Sequence, residues 1–304
     1  CFWKRERGMF PLSKESRGVL LGLLAVALFS LNLPLTRVAT QEMDPLFIGL
    51  VRCFLASILA GWMLMFDGGV RPQGKEWGQL ALCSASLVVG CLFFPFAIRH
   101  VSAAHGAVLV GIQPLMTALA ACWRNGERPS PAFWLCAVLG SATVMGFALT
   151  RGVSGGSMMA DLAMLGGIAF CGLGYAEGGR LAVRFGGWRT ICWALALSGP
   201  ILFLPTVWVA WEKGVTASPV AWGSLVYISI FGFFLGTYPW YSGMALGGVA
   251  RVGQMQLLQP FLTLALAGLF FGELVPLYFW LFAGVVGMIV WFGRYMPVRR
   301  LLEE

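Results

Sequence analysis

Charge is what this chain has least of: Asp, Glu, Lys and Arg make up 11% of its 304 residues, where soluble globular domains carry about 25%. So few ionised groups cannot cover a water-facing surface, which excludes a soluble fold. Familiar reaction chemistry is missing too. There is no G-x-x-x-x-G-K-[ST] phosphate loop, so ATP hydrolysis is set aside, and neither an H-E-x-x-H pair nor an aspartate-rich prenyl motif marks a membrane-embedded enzyme. Eight cysteines include no C-x-x-C pair, and most lie in apolar runs where a thiol packs as a small hydrophobe. No catalytic residue, metal site or cofactor is expected.

What remains is apolar residues and glycine. Hydrophobic residues make up 59% of the chain and glycine contributes 40 positions. That combination fits a polytopic membrane protein, whose helices associate by close backbone approach at small residues. Small-xxx-small spacing occurs at Gly18/Gly22, Gly174/Gly178, Gly232/Gly236 and Gly268/Gly272. The net charge of +8 is scattered over short loops and tails and forms no stripe, so nucleic acid is not an expected partner; the lipid bilayer is.

Apolar stretches of membrane-spanning length predict ten transmembrane helices near 18–37, 47–66, 77–98, 102–123, 132–150, 161–181, 188–210, 221–243, 249–271 and 275–294. The basic flank before the first resembles that of a signal sequence, but the run behind it is long enough to span and has no clean cleavage site, so it is expected to stay as a helix. With the N-terminus inside, Lys4, Arg5, Arg7, Lys14, Arg17, Arg71, Lys75, Arg124, Arg128, Arg184, Arg189, Arg251, Arg294, Arg299 and Arg300 fall on the cytoplasmic side. Arg37, Arg99, Arg151 and Lys213 are left outside. Lys and Arg favour cytoplasmic loops, so both termini are predicted to be cytoplasmic.

The chain also repeats itself. Residues 113–137, "QPLMTALAACWRNGERPSPAFWLCA", and 259–283, "QPFLTLALAGLFFGELVPLYFWLFA", align without gaps, pairing Gln113/Gln259, Pro114/Pro260, Thr117/Thr263, Gly126/Gly272, Glu127/Glu273, Phe133/Phe279 and Trp134/Trp280. The shift carries spans 3–5 onto spans 8–10, so each half holds five helices. An odd number inverts the second half, an arrangement that puts a binding site near the midplane between the halves. The expected organisation is a cytoplasmic segment 1–17, a first five-helix repeat 18–150, an inverted second repeat 161–294 and a cytoplasmic tail 295–304, around a central cavity.

Several residues stand out within this frame. Gln113 and Gln259 lie near mid-bilayer, and Pro114 and Pro260 each remove a backbone donor and free an acceptor, at Val110 and Gln256. These pairs either hold a substrate or only kink their helices. Gln256 and Gln259 are about 60° apart on a helix and can face one lumen, while Gln254 cannot join both. Asn32, Pro34 and Tyr175 interrupt spans 1 and 6. Phe93, Phe94 and Phe96, and Tyr238, Trp240 and Tyr241, end spans 3 and 8 near opposite faces, where they serve as gates or as an interfacial belt. Arg52 has no partner nearby in sequence. Glu177 and Arg180, one turn apart, can neutralise each other, His105 is expected to be structural, and Glu127 and Glu273 are expected to cap short turns.

Ten spans in two antiparallel repeats, with the paired "QP…GE…FW" segments, resemble the drug/metabolite transporter superfamily, EamA type, over essentially the whole chain. Within it the chain looks most like the bacterial inner-membrane aromatic amino-acid exporters. The resemblance implies a basket-like, monomeric bundle with a cavity lined by spans 1, 3, 4, 6, 8 and 9 that opens alternately to either side. Spans 5 and 10 would be peripheral, with Phe133, Trp134, Phe279 and Trp280 as packing residues. It also implies a small-molecule substrate, an aromatic or large neutral amino acid. Small multidrug relatives carry a proton-loading glutamate in the first helix, whereas "LLGLLAVALFSLNLPLTR" contains no acid. Carriage without proton coupling is therefore the leading expectation; proton-coupled efflux of planar cations, drugs or other small metabolites, with Glu177 as the acid, is the alternative.

Overall fold

The computed structural model describes residues 13–100, 106, 109–150, 157–271 and 277–299, and nearly all of them are helical. In chain order the helices are α1 (Lys14–Phe29), α2 (Asn32–Glu42), α3 (Pro45–Met65), α4 (Glu76–His100), α5 (Gln113–Asn125), α6 (Pro131–Thr150), α7 (Met158–Phe185), α8 (Gly187–Lys213) and α9 (Pro219–Ser229). A π-helical segment, Ile230–Leu235, leads into α10 (Gly236–Gly247) and α11 (Val249–Gly253). A 3₁₀ segment, Gln254–Leu258, precedes α12 (Gln259–Phe271) and α13 (Leu277–Gly293). Taking α1 with α2, and α9 with α10, as single apolar stretches, seven of the described helical stretches are long and apolar enough to cross a membrane.

Local chemistry sets many of these boundaries. Ser13, Asp44, Ser157 and Ser218 each accept a hydrogen bond from a backbone N–H in the first turn of the helix that follows, and Pro45 and Pro219 occupy first-turn positions where no donor is missed. Gly248, at φ 89°, turns the chain between α10 and α11 in a conformation that residues with a Cβ rarely adopt.

The helix contacts explain part of the glycine content. α1 packs on α10, α4 and α5 on α7, α3 on α8, α2 on α9, and α6 on α13. At the first contact the backbones touch: a Cβ on Gly18 would lie 2.5 Å from the Gly247 nitrogen and 2.8 Å from the Gly243 oxygen. Gly178 leaves room for the Tyr241 ring and Gly236 for Phe29. Between α6 and α13, Phe133 and Phe279 are buried, while Trp280 is exposed. Large apolar side chains cover the outside of the bundle, among them Trp62, Met65, Phe66, Leu139, Ile201, Leu204, Trp208 and Trp211. Such a surface suits lipid contact.

One end of the bundle is tied together by side chains far apart in sequence. Both carboxylate oxygens of Glu127 accept hydrogen bonds from the first two amides of α11, Val249 N at 2.8 Å and Ala250 N at 2.9 Å. Arg251 pairs with Glu15 at 2.7 Å and donates to the Met296 carbonyl, while Arg128–Pro129 and Val298–Arg299 form a short antiparallel bridge. Glu127 thus caps a helix 122 positions away rather than its own turn. Glu273 and His105 lie outside the described residues.

Candidate functional site

Four helical stretches break at one place. Between α1 and α2 the helix is interrupted at Ser30–Leu31, the π segment interrupts α9–α10, and each Gln-Pro pair starts a new 13-residue helix, α5 or α12. The prolines therefore sit in first turns, where a missing N–H costs little, instead of kinking a continuous helix. Ahead of Pro260 the chain tightens into the 3₁₀ turn, and the Gln256 carbonyl is taken by the Gln259 N–H. The acceptor freed by Pro260 is thus used locally.

Side chains from one broken stretch repair another. The Asn32 amide donates to the Gly232 carbonyl at 3.0 Å, joining the first break to the π segment. The Gln259 amide donates to the Phe29 carbonyl at 3.4 Å and the Thr263 hydroxyl to the Ser30 carbonyl at 2.7 Å, which satisfies the open C-terminus of α1. Thr117 returns its hydroxyl to its own helix, on the Gln113 carbonyl.

These breaks surround a cavity of about 710 Å³, open mouth included. Its wall contains Asn32, Gln113, Tyr175, Gln256 and Gln259, together with Phe29, Thr36, Arg52, Leu87, Cys91, Phe94, Cys171, Phe233 and Thr237. Five of the residues singled out from sequence for binding are thereby brought together; Pro114 and Pro260 do not line the cavity. Gln254 is buried against Gly293 and does not line the cavity.

The six aromatic residues at the ends of spans 3 and 8 scatter. Phe94 lines the cavity. Phe93 rests against Phe170 and Gly166, Phe96 lies tilted against His100 near the surface, and Tyr238 is exposed. Trp240 is fully buried, edge-on to Phe29 at 5.8 Å and to Tyr175 at 5.4 Å, directly behind two cavity residues. Tyr241 is buried too, its hydroxyl donating to the Gly174 carbonyl at 3.1 Å with the Cys83 thiol 3.3 Å away.

The wholly buried Glu177 does not pair with Arg180. Arg124, 53 residues away, takes its Oε1, and Arg180 donates to the Arg124 carbonyl instead. Spacing of one turn allowed the local pair, but α5 packs on α7 and brings a guanidinium closer. Sequence reasoning also passed over Thr36, Thr237 and the cavity-facing side of Arg52; a buried arginine inside an apolar run was the available signal for the last.

The pattern of the EamA-like transporter family matches residues 16–149 and again 158–292. The chain belongs to that family. As an EamA-like transporter it is a multi-pass membrane protein with two family repeats and a small-molecule substrate. It is 41% identical to a Bacillus subtilis protein described as the uncharacterized transporter YdeK, over 87% of this chain and 92% of the relative. A probable terminal-alkyne amino-acid exporter from Streptantibioticus cattleyicolor is 25% identical over 86% of this chain and 88% of that one. A crystallographically determined protein superposes with a TM-score of 0.76 at 18% identity, over 92% of this EamA-like chain and 99% of the other, a likeness of fold alone.

Proposed function

We propose that this EamA-like transporter exports amino acids, aromatic and large neutral ones, across a bacterial inner membrane by alternating access, as a monomer without ATP, cofactor or covalent step. The observation that carries the reading is the cavity at the four helix breaks, where amides, hydroxyls and aromatic rings line one space. Broken helices supply polar groups inside a membrane without exposing them to lipid. The kinship with a named amino-acid exporter supports the substrate class.

Ten spans in two inverted five-helix repeats, with both termini cytoplasmic, remain part of this proposal. The joining of Glu15 to Arg251 and of Glu127 to the start of α11 supports it, because the start of span 1, the end of span 4 and the start of span 9 then share a face. Cells overproducing the protein are expected to resist toxic phenylalanine and tryptophan analogues and to release preloaded labelled amino acid faster than control cells. Equal resistance and equal release would defeat the reading.

Engagement of Glu177 with Arg124 supports carriage without proton coupling, since its carboxylate already serves a buried ion pair between two packed helices. Glu177→Gln is expected to keep its export and its indifference to a pH gradient in proteoliposomes while losing about 1–2 kcal/mol of stability, less than a fully buried pair would lose because Arg124 is part-exposed. Loss of a pH-gradient response that the wild type possesses would instead favour proton-coupled cation efflux.

A further inference from the structure

Among the described residues two arginines are buried, and they are treated differently. Arg251, 7% exposed, has the Glu15 carboxylate and the Met296 carbonyl. Arg52, 8% exposed, lines the central cavity with its guanidinium carbon 5.0 Å from the centre of the Phe233 ring. Its Nε has no hydrogen-bond partner, and no carboxylate among the described residues comes within ion-pair distance. The two buried acids among the described residues are spoken for: Glu177 is on Arg124 and Glu127 is on the α11 amides.

Arginine cannot relieve this by losing its proton, because its guanidinium stays charged under any condition a cell provides. Placement adds to the cost: Arg52 is eighth in α3, about 10 Å along the helix from its start, well inside an apolar stretch. An intramembrane charge facing a cavity points to the transport path. The ring of Phe233 offsets part of the charge but satisfies no N–H donor. What the site lacks is an acceptor of opposite sign, and a planar fork of donors fits a carboxylate in two-point contact.

We propose that Arg52 is the anion anchor of the cavity, docking the carboxylate of the transported molecule. This deepens the amino-acid reading and rests on it. A carboxylate on Arg52 leaves the rest of an amino acid to the remainder of the cavity wall. That wall includes Gln113 and Gln256, and the Gln256 Oε1 is buried and unpaired. Phe29, Phe94 and Phe233 supply apolar wall for the side chain. Selection by this site depends on a free carboxylate and tolerates loss of the ammonium better than loss of the acid.

The test is counterflow of labelled phenylalanine in proteoliposomes holding the full chain, with phenylalanine, 3-phenylpropanoate, phenylethylamine, phenylalanine amide and phenyl phosphate as competitors. In the wild type the two carboxylates are expected to compete, and phenylethylamine and the amide to be weaker by roughly tenfold or more, equivalent to about 1.4 kcal/mol. Arg52→Gln is expected to erase that preference, and Arg52→Lys, which keeps the charge but loses the fork, to retain part of it. Equal competition by amine and acid in the wild type overturns the anchor, even if neither variant folds. So does an Arg52→Gln protein that is folded and still prefers the acid.

The reading of amino-acid export fails separately, when no amino acid is carried. Labelled 3-phenylpropanoate and phenyl phosphate then take phenylalanine's place. Arg52-dependent transport of either keeps the anchor and names its anion, carboxylate or phosphate; transport of neither overturns it.

Discussion

Glu127→Ala is expected to lower stability by about 3 kcal/mol, read as a fall in the unfolding midpoint of the detergent-solubilised protein. Two hydrogen bonds from backbone amides to one carboxylate are lost, each of a kind that contributes about 1.5–3 kcal/mol, with some return as the end of α11 rehydrates. The negative charge also sits at a helix N-terminus, where the peptide dipoles favour it. Consequences should reach the cavity, because α11 runs on into the 3₁₀ turn and α12, which carry Gln256 and Gln259. Transport should therefore fall further than the amount of folded protein does. Glu127→Gln keeps one acceptor and should lie between alanine and wild type; an alanine variant within about 0.5 kcal/mol of wild type would show that this cap is dispensable.

How much of this was legible in the sequence depended on distance along the chain. The duplicated Gln-Pro pairs could be seen because the repeat is gap-free, and hydrophobic runs marked the helices because lipid permits little else. That Asn32, Gln113, Tyr175, Gln256 and Gln259 would line one space followed from treating the halves as related. Partner choice was not legible. Glu177 had a candidate cation one turn away and took Arg124 instead, since selecting between the two requires knowing that α5 packs on α7. The prolines misled in a similar way: a proline inside an apolar run predicts a kink, whereas two new helices begin there, one preceded by a 3₁₀ turn. The π segment has no local sequence sign beyond Pro239 downstream, and its use shows in the Asn32 bond to Gly232 and in the place of Phe233 on the cavity wall.

Two glycine-to-alanine changes should have opposite signs, although propensity alone would make both stabilising. In the middle of a helix alanine is better than glycine by about 0.8–1 kcal/mol, and Gly61, in α3 with no atom within 4 Å of where its Cβ would go, should gain up to about that much. Gly18 should lose. Its new methyl would press on the Gly247 nitrogen and the Gly243 oxygen, and backbone atoms of a packed helix cannot swing aside as a side chain can. The helices would have to separate along the whole α1–α10 contact, on which Phe29, Trp240 and the Asn32–Gly232 bond also depend. Overpacking costs about 1–3 kcal/mol in an ordinary core, and a contact with no side chain to yield belongs at the top of that range. Gly18→Ala should accordingly unfold at markedly lower temperature than wild type and Gly61→Ala at the same temperature or above. If the two variants matched, close backbone contact between α1 and α10 would not limit the stability of the bundle.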